Sequence, residues 1–347
     1  MLALLRPSRS LLRFLGRRFA GMILLLFGVT VVAWALTGLV PGDPAAVNLG
    51  EERSQDPELV KAFREKYGLD KPLPVQYLVY LGNLLQGDFG TSLTSSRPVL
   101  DDLRQYAPAT AELAIAACLL GFTVGVTLGV WAALRRNRPA DHALRVFSLA
   151  GLSVPSFWMA LLVLYLFFFR LGIAPGGGRL GIESSPPPNT TGMYTVDALI
   201  AGQWSTFWDA LYHIMLPALV LAAAVVGYIT RYTRSAVLEV ASEDYVRAAR
   251  AKGLPERTVI FRYILRAAAP SMITVLGLAF ASILTGAVLV EAIYGFTGIG
   301  MYGFRASVGL DLPAIAGVSI FIAAVYLAIN FVVDVLYGVI DPRIRIT

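Results

Sequence analysis

Long apolar runs constrain what this sequence can fold into more than any other feature. The sequence holds six such runs, at residues 19–40, 110–134, 146–169, 211–230, 270–293 and 314–338. Each is close to the ~20 residues that a helix needs to cross ~30 Å of hydrocarbon. Charged residues make up only 15% of the chain and the mean hydropathy is +0.66, which excludes an ordinary soluble core. The sequence therefore predicts an all-α integral membrane protein with six transmembrane helices.

The distribution of basic residues predicts how the chain is oriented. With the amino terminus in the cytoplasm, the inner segments hold 19 of the 29 Lys and Arg residues. This bias follows the positive-inside rule and places both termini in the cytoplasm. The net charge of +6 does not indicate nucleic acid, because the basic residues cluster at the ends of apolar runs. A cleaved signal peptide is not expected, since the first run is long enough to span and no A-x-A pattern follows it.

Two outer segments differ in character. Residues 41–109 contain a helix signal, because Asp56 can cap a helix that follows it and Gly68 can end that helix. Residues 74–88 are apolar but too short to span, which favours an interfacial or packed helix. The sequence thus predicts a partly helical extracytoplasmic domain between the first two spans. The second outer segment, 170–207, contains GGG and PPP runs and predicts an irregular loop.

A basic segment lies between the fourth and fifth apolar runs. Residues 244–270 read DYVRAARAKGLPERTVIFRYILRAAAP and hold six Lys or Arg residues. One Arg at mid-bilayer costs about 2.5–3.5 kcal/mol, so this segment cannot be buried in lipid. We expect a cytoplasmic helix–turn–helix that divides at residues 253–255, with a small-residue elbow at Ala248 and Ala249. It is either an amphipathic loop at the membrane surface or a docking helix that enters a groove on another protein.

The sequence offers few residues for catalysis or metal binding. The single cysteine, Cys118, lies in an apolar run, so no intrachain disulfide can form. Neither His142 nor His213 has a partner at metal-ligand spacing. No G-x-S-x-G surrounds Ser153 or Ser156, which disfavours a protease. The chain also lacks G-x-x-x-x-G-K-[ST], so any ATP that it depends on must be hydrolysed by a partner.

Four acidic residues lie within or at the ends of the predicted spans. An ionisable group in a membrane segment is a functional hypothesis by default. Here each lies near a span end, which favours a structural role over a proton relay. These residues are Glu112, Asp209, Glu291 and Asp334.

The stretch RAARAKG at residues 247–253 resembles the EAA loop of ABC-importer permeases. Arg247 stands where that name has Glu, Ala248 and Ala249 are the small pair, and Gly253 is the glycine. The missing acidic residue and the later proline, Pro270, resemble the dipeptide/oligopeptide branch. Other stretches resemble that branch in the same order, namely PGDP at 41–44, GLDKPLPVQY at 68–77, GDFGTSL at 87–93, SVPSFW at 153–158, VEAIYGFTGIG at 290–300 and DVLYGVIDPR at 334–343.

The resemblance implies a type I ABC-importer permease that carries di- or oligopeptides across the inner membrane of a bacterium. It implies four kinds of partner: a second homologous permease, two ATP-binding subunits, an extracytoplasmic peptide-binding protein and membrane lipid. ATP and Mg would then be bound by partner subunits, and this chain would hold no cofactor. The coupling to the ATPases would be made by Asp244, Tyr245, Arg247, Ala248, Ala249, Lys252, Gly253 and Leu254.

On this interpretation the chain divides into an N-terminal region at 1–109, a permease domain at 110–338 and a tail at 339–347. The permease domain contains the coupling loop at about 239–268. Three alternatives stay open: a permease of the same family for nickel chelates or glutathione, a membrane enzyme, and a channel without ATP coupling. The enzyme would need convergent acid, base or metal-binding residues, and the channel leaves the docking elbow unexplained.

Overall fold

The structure is a computed structural model that describes residues 9–39, 45, 49, 54–139, 141–144, 146, 148 and 154–340. Within these ranges every regular element is a helix, as the sequence predicts. The helices are α1 (Arg9–Leu39), α2 (Pro57–Tyr67), α3 (Leu73–Leu85), α4 (Val99–Leu134), α5 (Ser156–Arg170), α6 (Tyr194–Ile200), α7 (Trp204–Ala241), α8 (Asp244–Ala251), α9 (Glu256–Tyr294), α10 (Ile299–Val308) and α11 (Leu312–Ile340).

Five helices in the described ranges are long and apolar enough to cross a membrane. They are α1, α4, α7, α9 and α11, and they coincide with five of the six predicted spans. The other predicted span, 146–169, corresponds to α5, which is a shorter apolar helix. Residues 147 and 149–153 of that predicted span lie outside the described residues.

The helices begin earlier than the apolar runs suggest. Helix α4 begins at Val99 rather than at residue 110, and α9 begins at Glu256 rather than at residue 270. Hydropathy marks the part of a helix that suits hydrocarbon, whereas backbone hydrogen bonding continues into polar residues. Prolines do not stop either helix, since Pro108 and Pro270 lie inside them. The expected helix–turn–helix, divided at residues 253–255, is confirmed, and its second half is the first part of α9.

The chain divides into two compact units. Unit 1 comprises Met1–Arg18, Ala111–Phe296 and Ile329–Thr347, and unit 2 comprises Phe19–Thr110 and Thr297–Ala328. The division at residues 109 and 338 that the sequence suggests stays a prediction.

Unit 2 contains the short helices that the sequence predicts in segment 41–109. The N-terminus of α2 is capped by Asp56 Oδ1, which accepts hydrogen bonds from the N–H groups of Glu58 (2.9 Å) and Leu59 (3.4 Å). Gly68 ends α2 with a φ of +63°, a conformation that suits glycine. The predicted helix at 74–88 is α3. Both expectations are confirmed.

The core of unit 2 forms where the start of α4 meets α10 and α11. Val99 and Leu103 are fully buried against a cluster that contains Ile299, Tyr302 and Val318. The Asp311 carboxylate caps α11 and also binds the loop that precedes α4. Thus Asp311 accepts hydrogen bonds from Ser92 Oγ (2.6 Å), Thr94 N–H (2.9 Å) and Ala314 N–H (3.2 Å).

The core of unit 1 depends on close packing between α4 and α7. Gly121, Gly125 and Gly129 repeat every four residues on one face of α4. A Cβ atom at any of them would come within 2.8 Å of an α7 side chain. Thr230 Oγ1 on α7 also donates a hydrogen bond to the Gly125 carbonyl at 3.2 Å. The glycines therefore allow the two backbones to approach closely, as small residues do in membrane helix pairs.

Candidate coupling site

The predicted coupling stretch forms a separate short helix, α8, with a defined end. Asp244 lies in the first turn, where its negative charge is favourable at the positive end of the helix dipole. At the other end the Gly253 N–H donates to the Arg250 carbonyl at 2.9 Å. The Leu254 N–H donates to the Ala249 carbonyl at 3.4 Å. Gly253 has a φ of +75°, so this is a Schellman-type end and the expected turn at the glycine is confirmed.

Helix α8 has one buried face and one exposed face. Val246 and Ala249 are buried, with exposed fractions of 0% and 4%. The exposed face includes the side chains of Asp244, Tyr245, Arg247, Ala248 and Lys252, and Arg250 and Ala251 are exposed as well. The structure thus separates the two members of the small pair: Ala248 faces outward and Ala249 does not. Ala249, one of the predicted coupling residues, is buried in the chain's own hydrophobic cluster, and its part in coupling stays a prediction.

A hydrophobic cluster in unit 1 forms the seat on which α8 rests. The two buried α8 residues belong to one cluster with Ala236 and Val237 from α7, Val259, Ile264, Ala268 and Met272 from α9, and Ala133 from α4. Three long helices therefore meet beneath one short helix. A displacement of α8 would disturb this cluster and the helices that supply it, since close-packed interiors deform little.

Charged side chains surround the exposed face of α8. Arg247 pairs with Asp244 on the helix itself. Arg250 Nη2 pairs with Glu256 at the start of α9 at 2.8 Å, which ties the end of α8 to the next helix. This hydrogen bond raises the pKa of Arg250 above its usual value. Both pairs are exposed, so each contributes little to stability and leaves its side chains accessible to a partner.

Three of the four acidic residues singled out in the spans have specific partners in unit 1. Glu112 accepts hydrogen bonds from Arg179 Nη2 at 2.8 Å and from the Thr195 N–H at 2.6 Å. Asp209 accepts from the Gly181 N–H at 2.9 Å. Asp334 pairs with Arg18 at 3.1 Å. These contacts support the structural role predicted for them, because each carboxylate fixes a neighbouring segment.

The fourth acidic residue, Glu291, is fully buried near the end of α9. The backbone carbonyl of Glu291 accepts hydrogen bonds from the two residues that follow the helix. The Phe296 N–H donates to this carbonyl at 2.9 Å, and the Gly295 N–H donates to it as well. Gly295 has a φ of +59°, the left-handed conformation that ends the helix. Glu291 therefore belongs to the turn that leads from α9 toward α10.

The segment 170–207 contains a buried carboxylate that orders its irregular part. Asp197 accepts hydrogen bonds from the Thr191 hydroxyl at 2.7 Å and from the N–H groups of Thr191 (2.8 Å), Gly192 (2.9 Å) and Thr190 (3.3 Å). Burial alone would raise the pKa of Asp197, but these hydrogen bonds outweigh it and lower the pKa. The irregular loop expected here is confirmed between α5 and α7, and it contains the short helix α6.

Sequence reasoning missed two features of unit 1. The sequence contains a signal for the first feature, the glycine repeat of α4, because the spacing G-x-x-x-G-x-x-x-G is typical of close helix packing in membranes. The second feature, a buried ion pair between Asp141 and Arg234, joins residues too far apart in sequence for a pattern to indicate it. Within the ranges that the structure covers, no group of three or more His, Cys, Asp or Glu side chains is placed to hold a metal ion.

Two families match this chain. Residues 125–346 match the family described as "Binding-protein-dependent transport system inner membrane component". Residues 11–114 match "Binding-prot-dependent transport system membrane comp, N-term".

Curated proteins resemble the chain over nearly its whole length. It is 44% identical to "Probable D,D-dipeptide transport system permease protein DdpB" of Escherichia coli strain K12, over 95% of this chain and 96% of that protein. It is also 44% identical to "Di/tripeptide transport system permease protein DppB" of Pseudomonas aeruginosa, over 96% of this chain and 99% of that protein. A "Dipeptide transport system permease protein DppB" of Alkalihalophilus pseudofirmus is 37% identical over 96% of this chain and 100% of that protein.

A solved structure resembles the fold. A chain of the MetNI methionine ABC transporter, in an inward-facing conformation, superposes with a TM-score of 0.51 at 14% identity. The match covers 67% of this chain and 93% of that chain. At this identity the likeness concerns the fold alone.

Proposed function

This chain belongs to the family of binding-protein-dependent transport system inner membrane components, and from that premise we propose that it is the permease subunit of an ATP-driven peptide importer. It is a transport permease and not itself an enzyme. Its relatives are permease subunits of ABC importers, so it works with an ATPase and with a substrate-binding protein. As a multi-pass protein of this family, it resides in the bacterial inner membrane.

The observation that carries the peptide assignment is identity along the entire chain. Two relatives at 44% identity are named as permeases for D,D-dipeptides and for di- and tripeptides. The shared region includes the spans as well as the coupling stretch, so it includes the residues that line any translocation path. Nickel chelates and glutathione have no such support among these relatives.

The finer composition of the transporter is part of the proposal. We assign it a second homologous permease, two ATP-binding subunits that carry ATP and Mg, and an extracytoplasmic peptide-binding protein. Segment 41–109 helps to receive the binding protein. Both termini lie in the cytoplasm, as the distribution of basic residues favours.

Helix α8 is the proposed link to the ATPase. Its exposed face presents Asp244, Tyr245, Arg247, Ala248 and Lys252, and its buried face rests on α4, α7 and α9. Closure of the ATPases would move α8, and the helices below it would follow as a rigid body between outward- and inward-facing states.

The test is reconstitution of the transporter with its copurified partners in lipid vesicles. A labelled dipeptide presented with the binding protein should accumulate only when ATP is enclosed on the ATPase side. Unlabelled tripeptide should compete, whereas glutathione and a nickel chelate should not. Accumulation of either of those two in place of the dipeptide would overturn the peptide assignment.

A further inference from the structure

A buried ion pair lies at the end of unit 1 that carries α8. Asp141 follows the turn after α4 and is fully buried, while Arg234 lies near the end of α7 with 17% of its side chain exposed. The guanidinium is bidentate: Nε lies 2.6 Å from Asp141 Oδ1, and Nη2 lies 2.8 Å from Oδ2. Two parallel bonds fix both the distance and the orientation of the two groups.

The carboxylate also organises its own loop. The Asn137 N–H donates to Asp141 Oδ2 at 3.1 Å, and Asn137 has a φ of +63°. Further along, the Ser148 carbonyl lies against α7, only 2.5 Å from where a Cβ on Gly227 would be. The stretch after α4 thus meets α7 at two points: the ion pair of Asp141 with Arg234, and the close approach of Ser148 to Gly227.

The pair stands beside the seat of α8. Ala133 lies just before the turn that leads to Asp141, and Ala236 and Val237 follow Arg234 on α7. All three belong to the same hydrophobic cluster as Val246 and Ala249 of α8. The ion pair therefore connects the end of α4 to the end of α7, two of the helices that supply that seat.

We infer that Asp141 and Arg234 are positioning residues that lock the ends of α4 and α7 together, so that movement of α8 is delivered to both helices. This inference rests on the proposed function, because it concerns how ATP hydrolysis on a partner is converted into import. Without this ion pair, α8 would still bind the ATPase, but the ends of α4 and α7 would move independently. ATP hydrolysis would then proceed without transport.

The main test is Arg234→Lys in the reconstituted transporter, with Arg231→Lys as the matched control. Lysine keeps the positive charge, so Asp141 is not left unpaired, but it cannot make the bidentate contact. Arg231 lies on the same helix, is exposed, and contacts the Tyr232 ring at 5.3 Å. Both variants should assemble with the ATPases, and ATP hydrolysis and peptide accumulation are measured on the same vesicles.

We expect peptide imported per ATP to fall about threefold or more in Arg234→Lys, with hydrolysis retained and the Arg231→Lys control unchanged. Asp141→Asn should produce a larger fall, about tenfold, because it removes the charge as well. A merely structural role predicts that hydrolysis and import fall together with the amount of assembled complex. Import per ATP equal to wild type in both Arg234→Lys and Asp141→Asn would overturn the inference. A wild-type complex that imports no peptide would instead overturn the proposed function, so the two failures are distinguishable.

Discussion

Two adjacent alanines of α8 make opposite contacts, and each can be tested by the same substitution. Ala248→Arg adds a large charged side chain to the exposed face, so the subunit should fold normally but bind its ATPase poorly. Ala249→Arg places a charge inside the hydrophobic seat, and an uncompensated buried charge costs about 3–5 kcal/mol. We therefore expect loss of folded protein from Ala249→Arg and loss of ATPase copurification from Ala248→Arg.

Membrane abundance and copurification, measured side by side, separate these effects. Equal ATPase recovery from wild type and Ala248→Arg at normal abundance would remove the docking role from the exposed face of α8. Normal abundance of Ala249→Arg would contradict the burial of that residue.

The turn after α8 depends on the backbone freedom of glycine. A Cβ at Gly253 would meet no atom within 4 Å, so the cost of a substitution there comes from its φ of +75° and not from a clash. Gly253→Val should destabilise the turn by about 1–2 kcal/mol, while Gly253→Asn should cost less because Asn tolerates this conformation. ATPase copurification as a function of temperature would reveal the difference. Indistinguishable behaviour of the Val and Asn variants would contradict this account.

At the residue scale the sequence could identify the proposed coupling stretch as a separate helix, but it could not tell which face of that helix is buried. The composition of residues 244–254 excluded a lipid environment, and the glycine indicated where the helix ends. Which alanine is buried depends on three other helices that supply the seat. Those contacts are set by tertiary packing, and no spacing within the stretch encodes them.

At the element scale, the contact between α4 and α7 depends on the absence of side chains. Gly129→Ala would place a Cβ 2.7 Å from Thr233 Cβ and 2.8 Å from the Thr230 carbonyl, so one helix must move. We expect destabilisation of about 1–3 kcal/mol, the usual range for overpacking. Gly28→Ala in α1 is the control, since nothing lies within 4 Å of a Cβ there. Thermal unfolding in detergent should distinguish the two, and equal melting temperatures would contradict the close approach.

The loop before α6 should respond to acid through Asp197. Its folded-state pKa is lowered, so the stability it contributes is present above the ordinary Asp pKa of about 3.9 and is lost as pH falls through the folded value. Asp197→Asn removes a charged acceptor from four hydrogen bonds and should cost about 1–3 kcal/mol at pH 7. The difference in melting temperature between wild type and variant should shrink as the pH approaches 3. A constant difference across that range would exclude the carboxylate charge as the cause.

The sequence could predict a helix where a single local signal, such as a capping residue or an apolar run, determines its position. Asp56 and Gly68 mark both ends of α2, and hydropathy locates the long helices. Hydropathy could not give their ends, because α4 and α9 continue through polar residues and through Pro108 and Pro270. Nor could it indicate the ion pair of Asp141 with Arg234, whose two residues lie on different elements.

At the scale of the whole molecule, function depends on the separation of two kinds of surface. The long helices expose large apolar side chains, such as Leu24 with 70% of its surface exposed, which suit lipid. The exposed face of α8 instead carries charged side chains, which suit water and a protein partner. A permease needs both, because force applied at a wet surface must move helices that lie in hydrocarbon. The distribution of basic residues predicts that the exposed face of α8 lies on the cytoplasmic side of the membrane.

That orientation can be tested with a single cysteine. Cys118 is the one native cysteine and is buried, so Cys118→Ala provides a background for new reporters. Ile182→Cys lies in the predicted outer segment 170–207, and Pro139→Cys lies in the second predicted inner segment, 135–145; both positions are exposed. A membrane-impermeant maleimide applied to intact spheroplasts should label the cysteine at 182 and leave the one at 139 unlabelled. Lysed membranes should label at both, which controls for reactivity. Labelling of 139 but not 182 in intact spheroplasts would reverse the topology, and would place α8 on the side of the membrane where no ATPase could reach it.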